Sequence, residues 1–541
     1  MKCTNCNGTL YYNVDKKVLK CRHCGSSFDP QSFVRDMDAS EFNWEGTILY
    51  TCRNCGAQLI SLDDTAVTYC SYCGSETILK GQITGDRQPR MMIPFKVSKT
   101  KCKAIYKKEL AKKLYVPDEF KDPEFIDKFR GVYIPYWMYY VKFRDNPIGL
   151  KGTKTYTRGN YDYYEEYEVV AKIHDNGLYG IPYDGSRNFD DSIAEEIAPF
   201  RRKDMIPFNP AYLAGMYADR ANVEPHVYEE EVKERATEEA IRDIGQDFPG
   251  INLKFPGSIK EKEEFLQTTY QGQDTIYLPV WFLTWKKDDR VAYAVVNGQT
   301  GKIHMEMPVD KRKFIRTSLL IALAIFAVLT LFLTVTARFL TWVSALLVLL
   351  IGYGFHAEMK KIRDKENHVF DKGYLITEEG ERLMSEKTAE KLRKRKENSL
   401  FGEKLNAWGI VKIVFISLAV LTGLPIAIVF FSMFSSGSGA SVLVFCILIL
   451  QVFLTIREFV LIRHLKDKSS ALTSLIALLA VACNYLISMY QPVEDWWYYL
   501  GTMVCLIASA VMSIDLIDRY NELSTRPLPS FYERKGGDDN A

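Results

Sequence analysis

The sequence predicts a multidomain membrane protein: two small β ribbons built on four cysteines each, an α+β cytosolic domain, and an all-α bundle of six transmembrane helices. Three observations predict it. Cys3, Cys6, Cys21 and Cys24 form C-x2-C-x14-C-x2-C, and Cys52, Cys55, Cys70 and Cys73 repeat that spacing 49 residues later. The first 312 residues read as soluble, aromatic-rich protein, with short alternating runs of the kind half-buried strands show. Nearly uncharged stretches of about twenty residues, the length a bilayer core requires, crowd the second half. The boundaries that follow are 1–48 for the first ribbon and its linker, 49–85 for the second ribbon, 86–310 for the α+β domain, 311–518 for the membrane domain, and 519–541 for a tail.

Each ribbon is justified by its donors. Two C-x2-C knuckles joined by a hairpin bring four soft ligands to a tetrahedron from opposite sides, and a closed all-thiolate tetrahedron is the usual structural zinc site. All eight cysteines are therefore assigned as ligands of two structural Zn²⁺ ions; a rubredoxin-type iron site and a redox pair are the alternatives. The opening MKCTNCNG has no apolar core of a signal peptide, so the N-terminal part is expected in the reducing cytosol, where such spacing means ligation rather than disulfides. Gly25, Gly56 and Gly74 directly follow the second cysteine of their knuckles, where positive φ suits a tight turn, and Asn7 tolerates the same conformation. Strand-like residues lie between the knuckles, at Thr9–Tyr12 with Val18–Lys20 and at Gln58–Ser61 with Ala66–Tyr69. His23 is read as an exposed bystander beside a complete site. Of the remaining cysteines, Cys446, Cys483 and Cys505 lie in apolar spans and are read as small buried hydrophobes, and Cys102 lies in the middle domain.

Charge narrows the partners. The net charge of +2 gives no global bias, but residues 1–85 carry eight Lys/Arg against nine Asp/Glu, and each four-thiolate centre adds negative charge. An acidic module is poorly suited to a phosphate backbone, so nucleic acid is disfavoured against protein recognition or structural bracing. From Asp86 to Lys113 the balance reverses, with ten Lys/Arg against two acids. Ser98 caps a predicted helix through about Tyr115, with Cys102, Ile105 or Tyr106, Leu110 and Leu114 on one face. Such a helix could meet lipid or nucleic acid, or simply be solvated.

A second internal repeat follows, Tyr133-Ile134-Pro135-Tyr136-Trp137 and Tyr277-Leu278-Pro279-Val280-Trp281, 144 residues apart. Alternation predicts strands at 151–158 and 161–173, and Asn297-Gly298-Gln299-Thr300-Gly301 reads as a hairpin turn between 291–296 and 302–307. Residues 189–245 read as largely helical. The whole of 86–310 is expected to be built around two related β units, with the Pro-x-Trp corners as core features.

Six spans are predicted at 317–336, 339–355, 413–434, 439–456, 469–490 and 496–514, the second and fourth extending into their flanks. Basic residues before the first span, thirteen Lys/Arg in 356–408, and further groups after the fourth and sixth spans put the N-domain, the 356–408 loop and the C-terminus on the cytoplasmic side; the opposite loops carry only Arg338. Ionisable groups inside the spans are scarce. Pro425 after Gly423, Gln451 and Asn484 read as packing features, and Arg457 with Glu458 as a helix end where the arginine snorkels. The spans therefore read as an anchor in lipid rather than a transporter. No G-x4-GK[ST], HExxH or GxSxG motif is present, and no pattern names a catalytic residue.

The twin ribbons together with Phe129–Trp137, Ile181-Pro182-Tyr183-Asp184-Gly185-Ser186, Pro210-Ala211-Tyr212-Leu213-Ala214-Gly215, Leu278–Trp281 and Asn297–Lys302 resemble a family of bacterial TFIIB-type zinc-ribbon-containing membrane proteins. Its members are sometimes described as primosomal-helicase-like through the ribbon alone. The resemblance implies a bacterial plasma-membrane setting and an association with SPFH-type (flotillin-like) membrane organisers or other envelope-stress partners. The expectation is thus a non-enzymatic membrane-anchored adaptor or scaffold; a membrane-tethered nucleic-acid binder and a transporter gated by its ribbon domain are the alternatives.

Overall fold

The structure, a computed structural model, describes residues 1–35, 48–52, 55, 57–61, 70–73, 78–82, 89–159, 161–173, 178–186, 189, 191–287, 290–332, 336–366, 438–462 and 470–527. The first ribbon follows its pattern. Leu10–Asn13 (β1) and Val18–Cys21 (β2) alternate buried with half-buried residues and pair antiparallel with Leu10 opposite Cys21; Ser27–Phe28 (β3) adds to β2. Pro30–Arg35 (α1) starts where the Asp29 carboxylate accepts the backbone N–H groups of Gln31 and Ser32 at 3.1 and 2.9 Å. The second ribbon has Ile48–Cys52 (β4) between Gln58–Ser61 (β5) and Ile78–Gln82 (β6).

The middle of the chain continues with Met91–Met92 (β7), Lys99–Leu110 (α2), Pro123–Ile126 (α3), Arg130–Lys142 (β8), Ile148–Arg158 (β9), Tyr161–Ala171 (β10), Leu178–Asp184 (β11), Asp191–Ile197 (α4), Ile206–Pro207 (β12) and Tyr217–Asp219 (β13). Then come Glu229–Asp247 (α5), Asn252–Lys254 (β14), Ile259–Leu266 (α6), Thr269–Lys287 (β15), Arg290–Asn297 (β16) and Ile303–Met305 (β17). One sheet carries most of these strands, in the order β12-β7-β15-β8-β13-β5-β4-β6. The second ribbon is thereby hydrogen-bonded into the main sheet, through Ala218 opposite Ile60 and Asp219 opposite Leu59.

The repeated Pro-x-Trp segments meet at the sheet's centre. β8 and β15 run antiparallel with Ile134 opposite Leu278, Tyr133 opposite Pro279 and Pro135 opposite Tyr277, so a local two-fold relates the two copies. The relation extends outward. β13 pairs in parallel with Val132 and Tyr133, and β7 pairs in parallel with the corresponding Ile276 and Tyr277. Beyond them β11 pairs with Tyr136–Lys142, and β16 with Val280–Lys287. Each tryptophan then donates across to the other half: Trp137 Nε1 to the Val223 carbonyl at 2.9 Å and Trp281 Nε1 to the Val97 carbonyl at 2.8 Å. Gly185 and Gly298 donate to the carbonyls of Pro135 and Pro279, each at 2.8 Å. Glycine is needed at 298, where a Cβ would lie 2.5 Å from the Phe95 ring, and at 185 a Cβ would press on Trp137 Nε1 at 3.2 Å. The Pro-x-Trp corners are core.

Residues 189–245 depart from the helical expectation: β12, β13 and short 3-10 turns interrupt them, because neighbouring strands offer β7 and β8 as partners. Helix α2 starts after Ser98 without a side-chain cap bond, buries Cys102, Tyr106 and Leu110, and ends earlier than expected, leaving Leu114 82% exposed. A separate sheet, β10-β9-β14, projects a hairpin of two eleven-residue strands in which Tyr161, Tyr163 and Tyr164 are exposed and Tyr156 stacks on Tyr163 at 5.3 Å.

The apolar half begins with Lys311–Phe332 (α7) and Ala337–Glu366 (α8), and continues with Ser438–Ile462 (α9), Ser470–Tyr490 (α10) and Trp496–Leu523 (α11). Among the described residues four helices are long and apolar enough to cross a membrane: Ala337–Arg363, Leu443–Ile462, Ser470–Tyr490 and Trp496–Glu522. The expectation of six spans is met for these four. The expected first span falls largely on α7, and the third, 413–434 with Pro425, lies outside the described residues, as does most of the 356–408 loop. Helix α8 runs past the predicted loop start, and α11 past the predicted tail start. Arg526–Pro527 (β18) then pairs with β16, and Arg290 donates to Thr525 Oγ1 and to the Glu522 carbonyl, both at 2.6 Å. At the other junction Asp310 N donates to the Tyr115 carbonyl at 2.7 Å, and Tyr115 packs on Phe314. The β body is thus fastened to both the first and the last apolar helix.

Candidate metal centres

The eight assigned cysteines come together as two groups of four, each with its Sγ atoms within 4.8 Å of one another. Nearest separations are 3.7 Å for Cys3–Cys24, 3.5 Å for Cys6–Cys21, 3.5 Å for Cys52–Cys73 and 3.7 Å for Cys55–Cys70. A tetrahedron with metal–sulfur bonds of about 2.3 Å has edges of about 3.8 Å, whereas a disulfide needs about 2.05 Å. Both groups therefore fit a four-coordinate metal ion. His23 is exposed and belongs to neither group.

Local backbone makes the first site. Asn7 and Gly25 hold φ of 59° and 75°, as the knuckle turns require; Gly56 and Gly74 lie outside the described residues. Gly8 is a requirement the sequence reading missed. A Cβ there would sit 2.9 Å from His23 Cβ and 3.2 Å from the sulfurs of Cys6 and Cys21. A hydrogen bond from the Ser26 hydroxyl, with the Ser26 N–H, holds the Cys24 thiol down at about 6, so it ionises at neutral pH. In the second site hydrogen bonds with Cys55 and then Cys70 lower Cys52 to about 7, while Cys55 and Cys70 are pushed well above the thiol range by sharing with Cys52. Four crowded sulfurs cannot all ionise unless a cation joins them.

The two sites differ in surroundings. Cys24 is exposed and Cys6 half-buried in the first, whereas all four cysteines of the second are at most 2% exposed. The second knuckle of that site is latched to the sheet. Tyr72 donates to Asp219 Oδ2 at 2.6 Å, Ser186 donates to the same oxygen, and Tyr293 donates to the Tyr72 carbonyl at 2.6 Å. Asp219 is fully buried, and nothing in its sequence context marks it, because β13 is three residues long. The first ribbon instead docks on the Pro210–Gly215 segment: Tyr12 N donates to the Ala214 carbonyl at 2.8 Å, and Tyr12 and Tyr212 meet edge-on at 4.9 Å.

This difference predicts biphasic metal loss. A competing chelator added to the intact protein is expected to take one equivalent quickly from the first ribbon and the second only as the sheet opens, measured by mass spectrometry of metal in timed aliquots. A single phase of two equivalents would contradict the assignment.

Other predicted positions fall out as follows. Cys102 and Cys505 are buried, Cys483 is half-buried, and Cys446 is exposed on α9 rather than buried. Four lysines of the basic α2 region are already engaged: Lys99 with the Asp127 carbonyl, Lys103 with the Asp127 carboxylate, Lys101 with Asp15 of the first ribbon, and Lys112 with Glu109. Asn484 is the packing feature expected, donating to the Thr341 carbonyl at 2.9 Å, Ser344 Oγ at 3.1 Å and Cys505 Sγ at 2.9 Å. Glu458 is not a solvated helix end. It is fully buried inside the Leu443–Ile462 span, while the adjacent Arg457 faces outward.

No family model matches the chain, and no solved structure matches it. The chain is similar to the uncharacterized protein YdjG of Bacillus subtilis strain 168, at 27% identity over 316 residues, a stretch longer than everything that follows Asp310, covering 58% of this chain and 91% of that protein.

Proposed function

We propose that this chain is a membrane-anchored scaffold in which two structural zinc ribbons brace a cytosolic β body that binds a protein partner at a bacterial plasma membrane. The observation that carries the reading is the exposed tyrosine ladder of β9–β10, standing clear of a body whose ribbons are occupied in packing. Exposed tyrosines supply large contact area at low entropic cost and are enriched in protein interfaces. All-thiolate, closed tetrahedra support zinc as the metal. The pairing of β18 with β16 supports a topology in which the body and the end of the last helix share one side, and the basic loops support that side being cytoplasmic. The ion-paired lysines of α2 weigh against the nucleic-acid alternative. Membership in the TFIIB-type zinc-ribbon family, and an SPFH-type membrane organiser as the partner, rest on the sequence resemblance.

The test is affinity purification in mild detergent from native cells, with quantitative mass spectrometry, comparing wild type with Tyr161→Ala/Tyr164→Ala. These side chains are exposed, so folding and membrane level are expected to hold. One stoichiometric protein lost at least tenfold in the variant is the expected result. Identical recovery of all proteins from both would sink the proposal. The transporter reading gains one observation, the burial of Glu458.

A further inference from the structure

The C-terminal end of α2 is held at the foot of the apolar bundle by a chain of hydrogen bonds. Near the end of α11 the Asn521 side chain accepts from the Val309 N–H at 2.6 Å and donates to the Val309 carbonyl at 3.0 Å. The next residue, Asp310, donates to the Tyr115 carbonyl, and Lys313 Nζ reaches the Val116 carbonyl at 3.1 Å. Lys311 pairs with Asp518, which sets the start of α7 level with the end of α11. The long apolar run of the Trp496–Glu522 span reaches Ile514, just before Asp515, and each further residue adds about 1.5 Å along the helix. Asn521 thus stands about 10 Å beyond the apolar run. A headgroup layer is about 5–8 Å deep, so with that span in a bilayer the end of α2 meets the outer edge of the layer.

What α2 presents there is Lys113 and Leu114, with Lys108 on the exposed face behind them. Leu114 would continue the stripe of Cys102, Tyr106 and Leu110, but the helix ends at Leu110 and turns it out, 82% exposed. The first turns of α7 add exposed Arg312 and Arg316. None of these four cations is ion-paired among the described residues. The acidic groups of the junction are matched instead: Asp118 and Asp310 face Lys313, Asp518 faces Lys311, Glu109 faces Lys112, and Asp515 and Glu522 flank Arg519. The surplus at this level is positive. We propose that the tip of α2, through Lys108, Lys113 and Leu114, rests on the adjacent leaflet and binds anionic phospholipid headgroups together with Arg312 and Arg316. Leu114 enters the headgroup layer while the long basic side chains reach phosphate oxygens. A lipid surface is the occupant because the hydrogen bonds to α11 fix the height of these groups against the bilayer. Each cation near an anionic surface strengthens attachment about fivefold, an effect that fades over a Debye length of about 8–10 Å. The docking rests on the membrane reading of the apolar helices and is independent of the tyrosine hairpin and of any protein partner.

The experiment places the full chain carrying Leu114→p-benzoylphenylalanine, a photoreactive residue that couples to nearby C–H bonds, in nanodiscs of phosphatidylcholine alone or mixed with phosphatidylglycerol. Ile514→p-benzoylphenylalanine, on an exposed position of α11, reports the bilayer itself and is expected to take up lipid in both compositions. At 114, lipid adducts read by intact mass are expected to rise about fivefold or more when phosphatidylglycerol is present, and to fall back at high NaCl. Adding Lys108→Glu/Lys113→Glu is expected to remove that rise and to leave labelling at 514 unchanged. All three side chains are exposed, so folding is expected to hold; should the charge variant misfold, the dependence on phosphatidylglycerol and on salt carries the test. No lipid at 114 where 514 is labelled, equal labelling with and without phosphatidylglycerol, or a rise that survives Lys108→Glu/Lys113→Glu would each overturn the docking and leave the anchoring intact. Absence of lipid at 514 as well would overturn both.

Discussion

Cys52→Ser/Cys55→Ser is expected to abolish the cooperative folding of the whole β body, whereas Cys3→Ser/Cys6→Ser is expected to lower its stability by a few degrees. The asymmetry comes from where each ribbon sits. Metal binding in a structural site contributes about 10–16 kcal/mol in zinc-finger peptides, comparable to or larger than the roughly 5–15 kcal/mol that holds a typical domain together. In the second ribbon that energy organises β4 and β5, and β5 is the partner of β13, which in turn flanks β8 at the centre of the sheet. Losing the metal also frees Tyr72, and with it one hydrogen bond to the buried Asp219, leaving a desolvated carboxylate underserved. The first ribbon contributes a docked face and one backbone bond from Tyr12, so its collapse leaves the main sheet intact. Thermal melts by circular dichroism and limited proteolysis of the two double variants in detergent distinguish the cases. Equal damage from both variants would mean that the second ribbon is not the sheet's edge support.

The cysteine quartets were legible because their chemistry is local: eight residues at fixed spacing specify two tetrahedra whatever surrounds them. The Pro-x-Trp repeat was legible as a repeat for a similar reason. What it does was not, since the carbonyls that receive the tryptophans belong to Val97 and Val223, in segments that share little with one another in sequence. Strands β7, β12 and β13 are two or three residues long and exist only because longer strands offer them an edge, so periodicity had nothing to read. Glu458 was misread for a different reason. Next to Arg457 and near the end of an apolar run it looked like a helix terminus, but α9 continues to Ile462 and the packing of α8 and α10 turns that face inward. Sequence spacing reveals a stripe; the partner that covers the stripe is a tertiary fact.

Trp281→Ala is expected to destabilise the β body by about 4–6 kcal/mol, the largest effect of any single core substitution. Removal of a buried tryptophan ring costs about 3–5 kcal/mol, and the Val97 carbonyl loses its donor for about 1–3 kcal/mol more, partly offset if water enters. The void cannot close easily. Gly131 stands directly opposite Trp281 on β8, and it has no side chain to move in; Phe95, edge-on to the indole at 5.0 Å, is fixed from its other side by Tyr133 at 5.1 Å. Trp137 holds the equivalent place in the other half but is half-buried, so Trp137→Ala is expected to cost less. Phenylalanine variants separate ring from hydrogen bond. Trp137→Phe and Trp281→Phe keep most of the apolar contact and remove only the donor, so each is expected to cost about 1–3 kcal/mol, and the double variant their sum, because the two bonds lie on opposite sides of the local two-fold with no shared partner. Denaturant titration of the four variants and the double measures all of this. A neutral Trp281→Phe would show that the indole donor does not tie the two halves together, and strong non-additivity would show that the halves fold through a common contact rather than through two equivalent ones.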